Sequence, residues 1–146
     1  GDVGFPEGTL EGAKGTLPGA FPSDEFQGRM LEVNPDLKDF SYGAESYDAT
    51  MLAALAALKG GEASGQAIQE NMAAVSGATD GTECTGWEEC SALVEDGEEI
   101  SYQAVSGVGP FNESNDPSSA FIGIYQFGAD NLYTFTESVQ GEVPSS

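Results

Sequence analysis

Apolar residues recur at three- and four-residue steps through residues 41–58, SYGAESYDATMLAALAAL, where Ala44, Tyr47, Met51, Leu55 and Leu58 fall on one face. That spacing predicts a helix about five turns long, with its apolar face turned to a core. Ala49, Ala53, Ala54, Ala56 and Ala57 widen the stripe with small, strongly helix-forming side chains, so neighbouring elements can pack closely on more than one side. Ser41 or Asp39 stands where a side chain can cap the first turn, and Gly60-Gly61 stands where the helix needs a stop.

Shorter patterns flank this helix. The run AKGTLPG reads as a strand leaving through a Pro-Gly turn, with Leu10, Ala13, Thr16 and Leu17 as the buried groups of the N-terminal stretch. Ser23 ahead of Asp24 and Glu25 starts a helix carrying Phe26, Met30 and Val33, which Asn34-Pro35-Asp36 stops. Ser64 starts another, with Ile68, Met72 and Val75 on one face. Thr85-Gly86-Trp87-Glu88 has the form of a capping box before a third, anchored by Trp87, Leu93 and Val94. From Ile100 the period falls to two. AFIGIYQF at 120–127 is a strand of branched and aromatic residues, Gly128-Ala129-Asp130-Asn131 a turn, LYTFT its antiparallel partner, and residues 137–146 a loose tail.

Composition narrows the classes. At 146 residues, 39% of them hydrophobic, the chain can bury the core of one domain. It begins Gly-Asp without a methionine or a signal-like apolar segment, which fits a piece of something longer. No apolar run approaches the roughly 20 residues of a bilayer-spanning helix. Twenty-five acids stand against four bases, Lys14, Arg29, Lys38 and Lys59, for a formal charge of -21 without a histidine. Such a surface repels phosphates and anionic headgroups, which argues against nucleic acid and anionic lipid as partners.

Reactive chemistry is sparse. Without histidine the usual nucleophile-base pairs cannot be assembled, and Glu88-Glu89 and Glu98-Glu99 read as solvated faces rather than acid-base pairs, so the expectation is a protein that is not an enzyme. Cys84 and Cys90 have five residues between them. A zinc site needs more ligands and a thioredoxin-like motif needs two intervening residues, which leaves a disulfide in an oxidising compartment, or two free buried thiols. The oxygen-rich stretch Asn112-Glu113-Ser114-Asn115-Asp116 lacks the spacing of an EF-hand loop and reads as a turn, and Asp80 with Glu83 is an equally weak calcium pair. No metal or cofactor is expected. Of the aromatics Tyr42, Tyr47, Trp87, Tyr102, Phe121, Tyr125 and Phe127, most read as core. Tyr42 stands apart at the first turn of the central helix, where a phenol and free amides can meet a polar ligand.

Three stretches taken in order, GTLPGA, YGAESYDATMLAALAAL and VSGVGPFNESNDPSSAFIGIYQF, resemble the C-terminal part of the extracellular solute-binding proteins of branched-chain amino acid type ABC transporters. The third is the most specific, through Ser106-Gly107, Phe111, Asn115-Asp116 and the ending at Ile124 to Phe127; Tyr47, Asp48, Ala49 and Leu52 match the family's YDA-x-x-L helix. The insertion carrying Cys84 and Cys90 looks like that of Gram-positive lipoprotein members. The resemblance implies an α/β fold, part of a two-lobed periplasmic-binding-protein type I architecture with three to four helices and a C-terminal group of strands. Residues 1–22 would then be a strand and crossover from the second lobe, 23–100 the helical part of the first lobe with the disulfide insertion, 101–136 the C-terminal strands and return crossover, and 137–146 a flexible tail.

By the same resemblance Tyr42 lines the ligand cleft, Ser41 and Glu45 stand next to it as further contacts, and Tyr47 belongs to the core. The implied function is capture of an amino acid or similar small polar solute outside the cell and its delivery to an ABC permease. The only membrane attachment implied is an N-terminal lipid anchor outside this chain. Two other readings compete: the ligand-binding ectodomain of a sensor with the same fold, and an acidic structural module without ligand.

Overall fold

The computed structural model describes residues 4–112, 114 and 116–142. In chain order these form β1 (Lys14–Pro18), α1 (Asp24–Val33), α2 (Gly43–Gly60), α3 (Gly65–Val75), β2 (Thr82–Cys84), α4 (Gly86–Glu95), β3 (Ile100–Tyr102), β4 (Ser119–Phe127) and β5 (Tyr133–Glu142). The protein is therefore mixed α/β, with four helices, an antiparallel sheet in the order β1-β4-β5 and a parallel pair β2-β3 among the described residues.

The alanine-rich stripe places α2 at the centre. Ala44, Leu55 and Ala56 are fully buried and Met51 and Leu52 nearly so. Two adjacent stripes are thus covered at once, which small side chains make possible. On this helix α3 lays Ile68, Met72 and Val75, and α4 lays Leu93 and Val94. Between β2 and β3 the chain crosses over through α4, as a parallel pair requires, and Ile100 and Tyr102 complete the core. Cys84 and Cys90 are joined in a disulfide that ties the end of β2 to α4, with no free cysteine among the described residues.

Asp48 lies inside this core at 2% exposure. Its carboxylate accepts hydrogen bonds from the Tyr102 hydroxyl (2.7 Å), the Val105 amide (3.0 Å) and the Ser106 amide (2.7 Å). A buried charge with three donors is well satisfied. Nearby, the buried Ser76 hydroxyl accepts from the Phe111 amide at 2.8 Å. These bonds lead the chain from β3 towards β4.

β4 is the middle strand of the second sheet. It pairs with β1 more than a hundred positions earlier and with β5 through the turn at Gly128–Asn131. Phe121, Gly123, Tyr125 and Phe127 alternate onto one face, and Gly123 is required because the Tyr125 ring folds back over it where a Cβ would stand.

Several sequence expectations need correction. Residues 137–142 are not a tail: they continue β5 although every side chain of the strand is exposed, because the ladder is a backbone bond and needs no buried side chain. Residues 143–146, Glu113 and Asn115 lie outside the described residues. Neither Ser41 nor Asp39 caps α2. The cap residue is Tyr42, left-handed at φ 60° and without a side-chain capping bond, while Asp39 turns back to accept from the Ser41 amide at 2.9 Å, an Asx turn that precedes the helix. In α4 the expected capping box does not form: the Thr85 side chain makes no capping bond, and it is Glu89, not Glu88, that reaches back, accepting from the Thr85 amide at 2.8 Å and hydroxyl at 3.1 Å. Trp87 and Val33 are exposed rather than anchoring, as are Ala13 and Thr16.

Candidate functional site

Residues 38–41, which run from α1 into α2, face the ends of β4 and β5 across a groove of ≈ 670 Å³. Its lining combines Phe21, Phe40, Tyr125, Tyr133 and Phe135 with Gln27, Lys38, Asp39, Ser41, Leu132 and Thr134. Strand alternation builds the aromatic wall. Tyr133 and Phe135 are two apart on β5, and the register sets Phe135 beside Tyr125 and Tyr133 beside Phe127.

The rings hold one another in place. Phe21 stacks on Phe135 with centroids 5.0 Å apart, while Tyr125 meets Phe135 edge-on at 5.7 Å and Tyr133 at 5.2 Å. Such pairs add about 1 kcal/mol each beyond the area they bury. Burial, and after it the nearby charges of Tyr133, Glu45 and Asp39, pushes the Tyr125 phenol above its ordinary value. Raised above its ordinary value, the Tyr125 phenol is a neutral hydroxyl at neutral pH and can donate or accept.

The polar rim is set by Asp39. Bonds donated by the amide and then the hydroxyl of Ser41, with a smaller part from the Tyr133 hydroxyl, hold its carboxyl below the usual range. Ser41 Oγ and the Tyr133 hydroxyl are 3.4 Å apart. The groove thus offers ring faces, hydroxyls, one carboxylate and one ammonium group, a set suited to holding a small solute with an apolar body and polar ends. Among the described residues no group of three or more Cys, His, Asp or Glu converges to hold a metal.

Of the residues that the family resemblance singles out, Ser41 lines this groove. Tyr42 is 48% exposed at the helix cap and Glu45 is half-buried, and neither forms part of the lining. Both oxygens of Glu45 are sealed from solvent and accept no hydrogen bond. They press against Gly19, where a Cβ would collide with the carboxylate.

Most of the aromatic wall carried weaker sequence signals. Phe21 and Phe40 stand alone in turn-rich segments, while Tyr133 and Phe135 in LYTFT do show the alternation that puts two rings on one face.

A second hollow of ≈ 500 Å³ lies on α1 and is lined by Phe26, Arg29, Met30, Leu37 and Tyr47 among others. Arg29 sits over the rings of Phe26 and Tyr47 at 5.3 and 5.2 Å and donates to the Tyr47 hydroxyl at 3.2 Å. That bond raises the guanidinium's pKa and leaves Tyr47 packed at the edge of the core.

Comparison with protein-family models, with curated proteins and with solved structures returns no match to this chain.

Proposed function

We propose that this chain is part of an extracellular solute-binding protein that captures a small polar solute for an ABC importer, without catalysing a reaction. The observation that carries the reading is the groove of ≈ 670 Å³ with five aromatic rings and a few polar groups at its rim, a size and lining typical of small-molecule sites. The resemblance through GTLPGA, YDA-x-x-L and the 105–127 stretch supports the same reading. The Cys84–Cys90 disulfide fits an oxidising location outside the cell.

In this reading the two-lobed periplasmic-binding-protein type I architecture closes around the solute. Contacts from both lobes select the closed form, and the permease recognises that form. Ser41, with Asp39 and the Tyr133 hydroxyl, fixes the polar end of the solute, while Tyr125 and Phe135 cover its body. Tyr42 and Glu45 stand behind or beside these contacts at the start of α2.

The test is calorimetric titration of the full native chain with amino acids, amides and amines, alongside small-angle scattering to follow closure. Saturable binding that Phe135→Ala weakens by about tenfold, the size of a lost stacking contact, is the expected result. A chain that stays folded and shows neither heat nor compaction with any of these solutes would sink the proposal.

A further inference from the structure

We propose that Asn112 is an N-glycosylation site, whose side-chain amide nitrogen takes a saccharide from a polyprenyl-phosphate-linked donor outside the cell. The inference goes beyond the solute-binding reading and shares with it only the location of the chain.

The starting point is the oxygen-rich stretch between β3 and β4, which neither the groove nor the core uses. Asn112-Glu113-Ser114 has the form N-x-S with a residue other than proline in the middle, the acceptor sequence of N-linked glycosylation. No other asparagine has it. Asn34, Asn71, Asn115 and Asn131 are followed two positions on by Asp36, Ala73, Pro117 and Tyr133, none of which is serine or threonine.

The fold presents this sequence to solvent. The Gly109 amide donates to the Ser119 carbonyl at 3.1 Å, the Ser118 amide to the Pro110 carbonyl at 2.8 Å and the Asn112 amide to the Asp116 carbonyl at 2.8 Å, with Phe111 and Pro117 bridged between them. These bonds make an antiparallel ribbon whose far end carries the acceptor sequence. The Phe111 amide, bonded to the buried Ser76 hydroxyl, ties that ribbon to the core. Asn112, Ser114 and Asp116 are all exposed.

Asn112 is held by one end of its carboxamide. Its side chain meets the amides of Ser114 at 2.9 Å and Asp116 at 3.0 Å, an Asx turn. Both partners are N–H donors, so the atom facing them is the oxygen. Nδ2 donates to no group among the described residues and is left for an incoming group. Ser114 enters the turn through its backbone amide, which leaves outside that bond the hydroxyl that the acceptor sequence requires.

In the transfer, Nδ2 bonds to the anomeric carbon of the saccharide as the bond from that carbon to the phosphate oxygen breaks. The polyprenyl phosphate leaves with the electron pair, and Nδ2 gives up one of its two protons to a base of the transferring enzyme. No oxidant or reductant is needed. The reaction belongs on the outer side of a membrane, the side that the Cys84–Cys90 disulfide also indicates. None of the residues that line the groove belongs to the ribbon, so a saccharide at Asn112 leaves the groove open.

The experiment is peptide mass spectrometry on the full chain recovered from its own host, with solute titration of the same samples. The peptide containing Asn112 is expected to carry the added mass of a saccharide on that residue. Ser114→Ala, made in the same host, keeps the backbone amide that holds the turn and should lose all of the added mass, whereas Ser114→Thr should keep it. A bare Asn112 in the native chain would overturn the inference, as would a saccharide that persists on Asn112 in Ser114→Ala. Should Ser114→Ala not fold, the native peptide and Ser114→Thr still decide. A bare chain that binds solute removes this inference alone, and a glycosylated chain silent to every solute removes the solute-binding reading alone.

Discussion

The two halves of the molecule are held together in different ways. Around α2, with α3, α4 and the β2-β3 pair, side chains interlock: Leu55, Val75, Cys84, Cys90 and Ile100 are almost wholly buried. In the β1-β4-β5 sheet the chain is held mainly by its backbone ladder, and β5 exposes all ten of its residues. Ile122 and Val139, cross-strand partners, are 40% and 53% exposed. Stability is concentrated in the first half, whereas the apolar surface left for recognition belongs to the second. The groove lies where the connection between α1 and α2 meets that sheet.

Breaking the Asp48 cluster should have the largest effect, because it removes the bonds that lead out of the packed half. Asp48→Ala strands the Tyr102 hydroxyl and two amides and is expected to cost about 4 kcal/mol in denaturant unfolding. A loss below 1 kcal/mol would show that the loop at Val105–Ser106 repairs itself with water. Within the packed half, Leu55→Ala should cost about 3 kcal/mol through the cavity it leaves, and cleaving the disulfide by reduction about 2 kcal/mol.

The sheet side should answer differently. Val139→Thr on exposed β5 is expected to change stability by less than about 0.5 kcal/mol, and a loss as large as that of Leu55→Ala would erase the contrast drawn here. Two pH effects sharpen it further. Burial, then the bond to Asp48, raises the Tyr102 phenol well above its ordinary 10.0. The neutral form is favoured in the fold, so this contribution is complete below pH 10.0 and is lost as pH rises past it. A Tyr102→Phe variant should lack that alkaline loss. Asp39 works in the opposite sense and more weakly, since it is exposed. Its carboxyl is held below the ordinary 3.8, so its small contribution is present above that value and fades as pH falls below it, an effect that Asp39→Asn should remove.

How legible each half was in the sequence follows the same division. The period of α2, the caps at Ser23 and Ser64, and the strand at 120–127 could be read because they depend on neighbours three or four residues away, or two. In the structure Ser23 and Ser64 accept from the amides of Phe26 and Ala67 at 3.2 and 3.0 Å. Residues 137–142 could not be read as strand, since nothing in TESVQGE signals burial and only the presence of β4 alongside creates the ladder. The Asx turn at Asp39 likewise displaced the expected cap, a competition between two local hydrogen bonds that composition alone does not resolve.

The groove shows the boundary most clearly. Ser41 stood out by its place ahead of the central helix, yet Phe21, Phe40, Tyr133 and Phe135 come from segments far apart in the chain and meet only when β4 and β5 pair beside the connection from α1 to α2.

By itself the sequence determined the helices, the caps at Ser23 and Ser64, the acidity and the absence of histidine, because these are properties of the residues themselves or of neighbours within a turn or two. Only the tertiary structure decided that Asp48 is a satisfied buried carboxylate and Glu45 an unsatisfied one. The two lie three positions apart on the same helix, and no local pattern distinguishes them. What separates them is which distant groups arrive: the Tyr102 hydroxyl and the amides of Val105 and Ser106 at one, the bare backbone of Gly19 at the other.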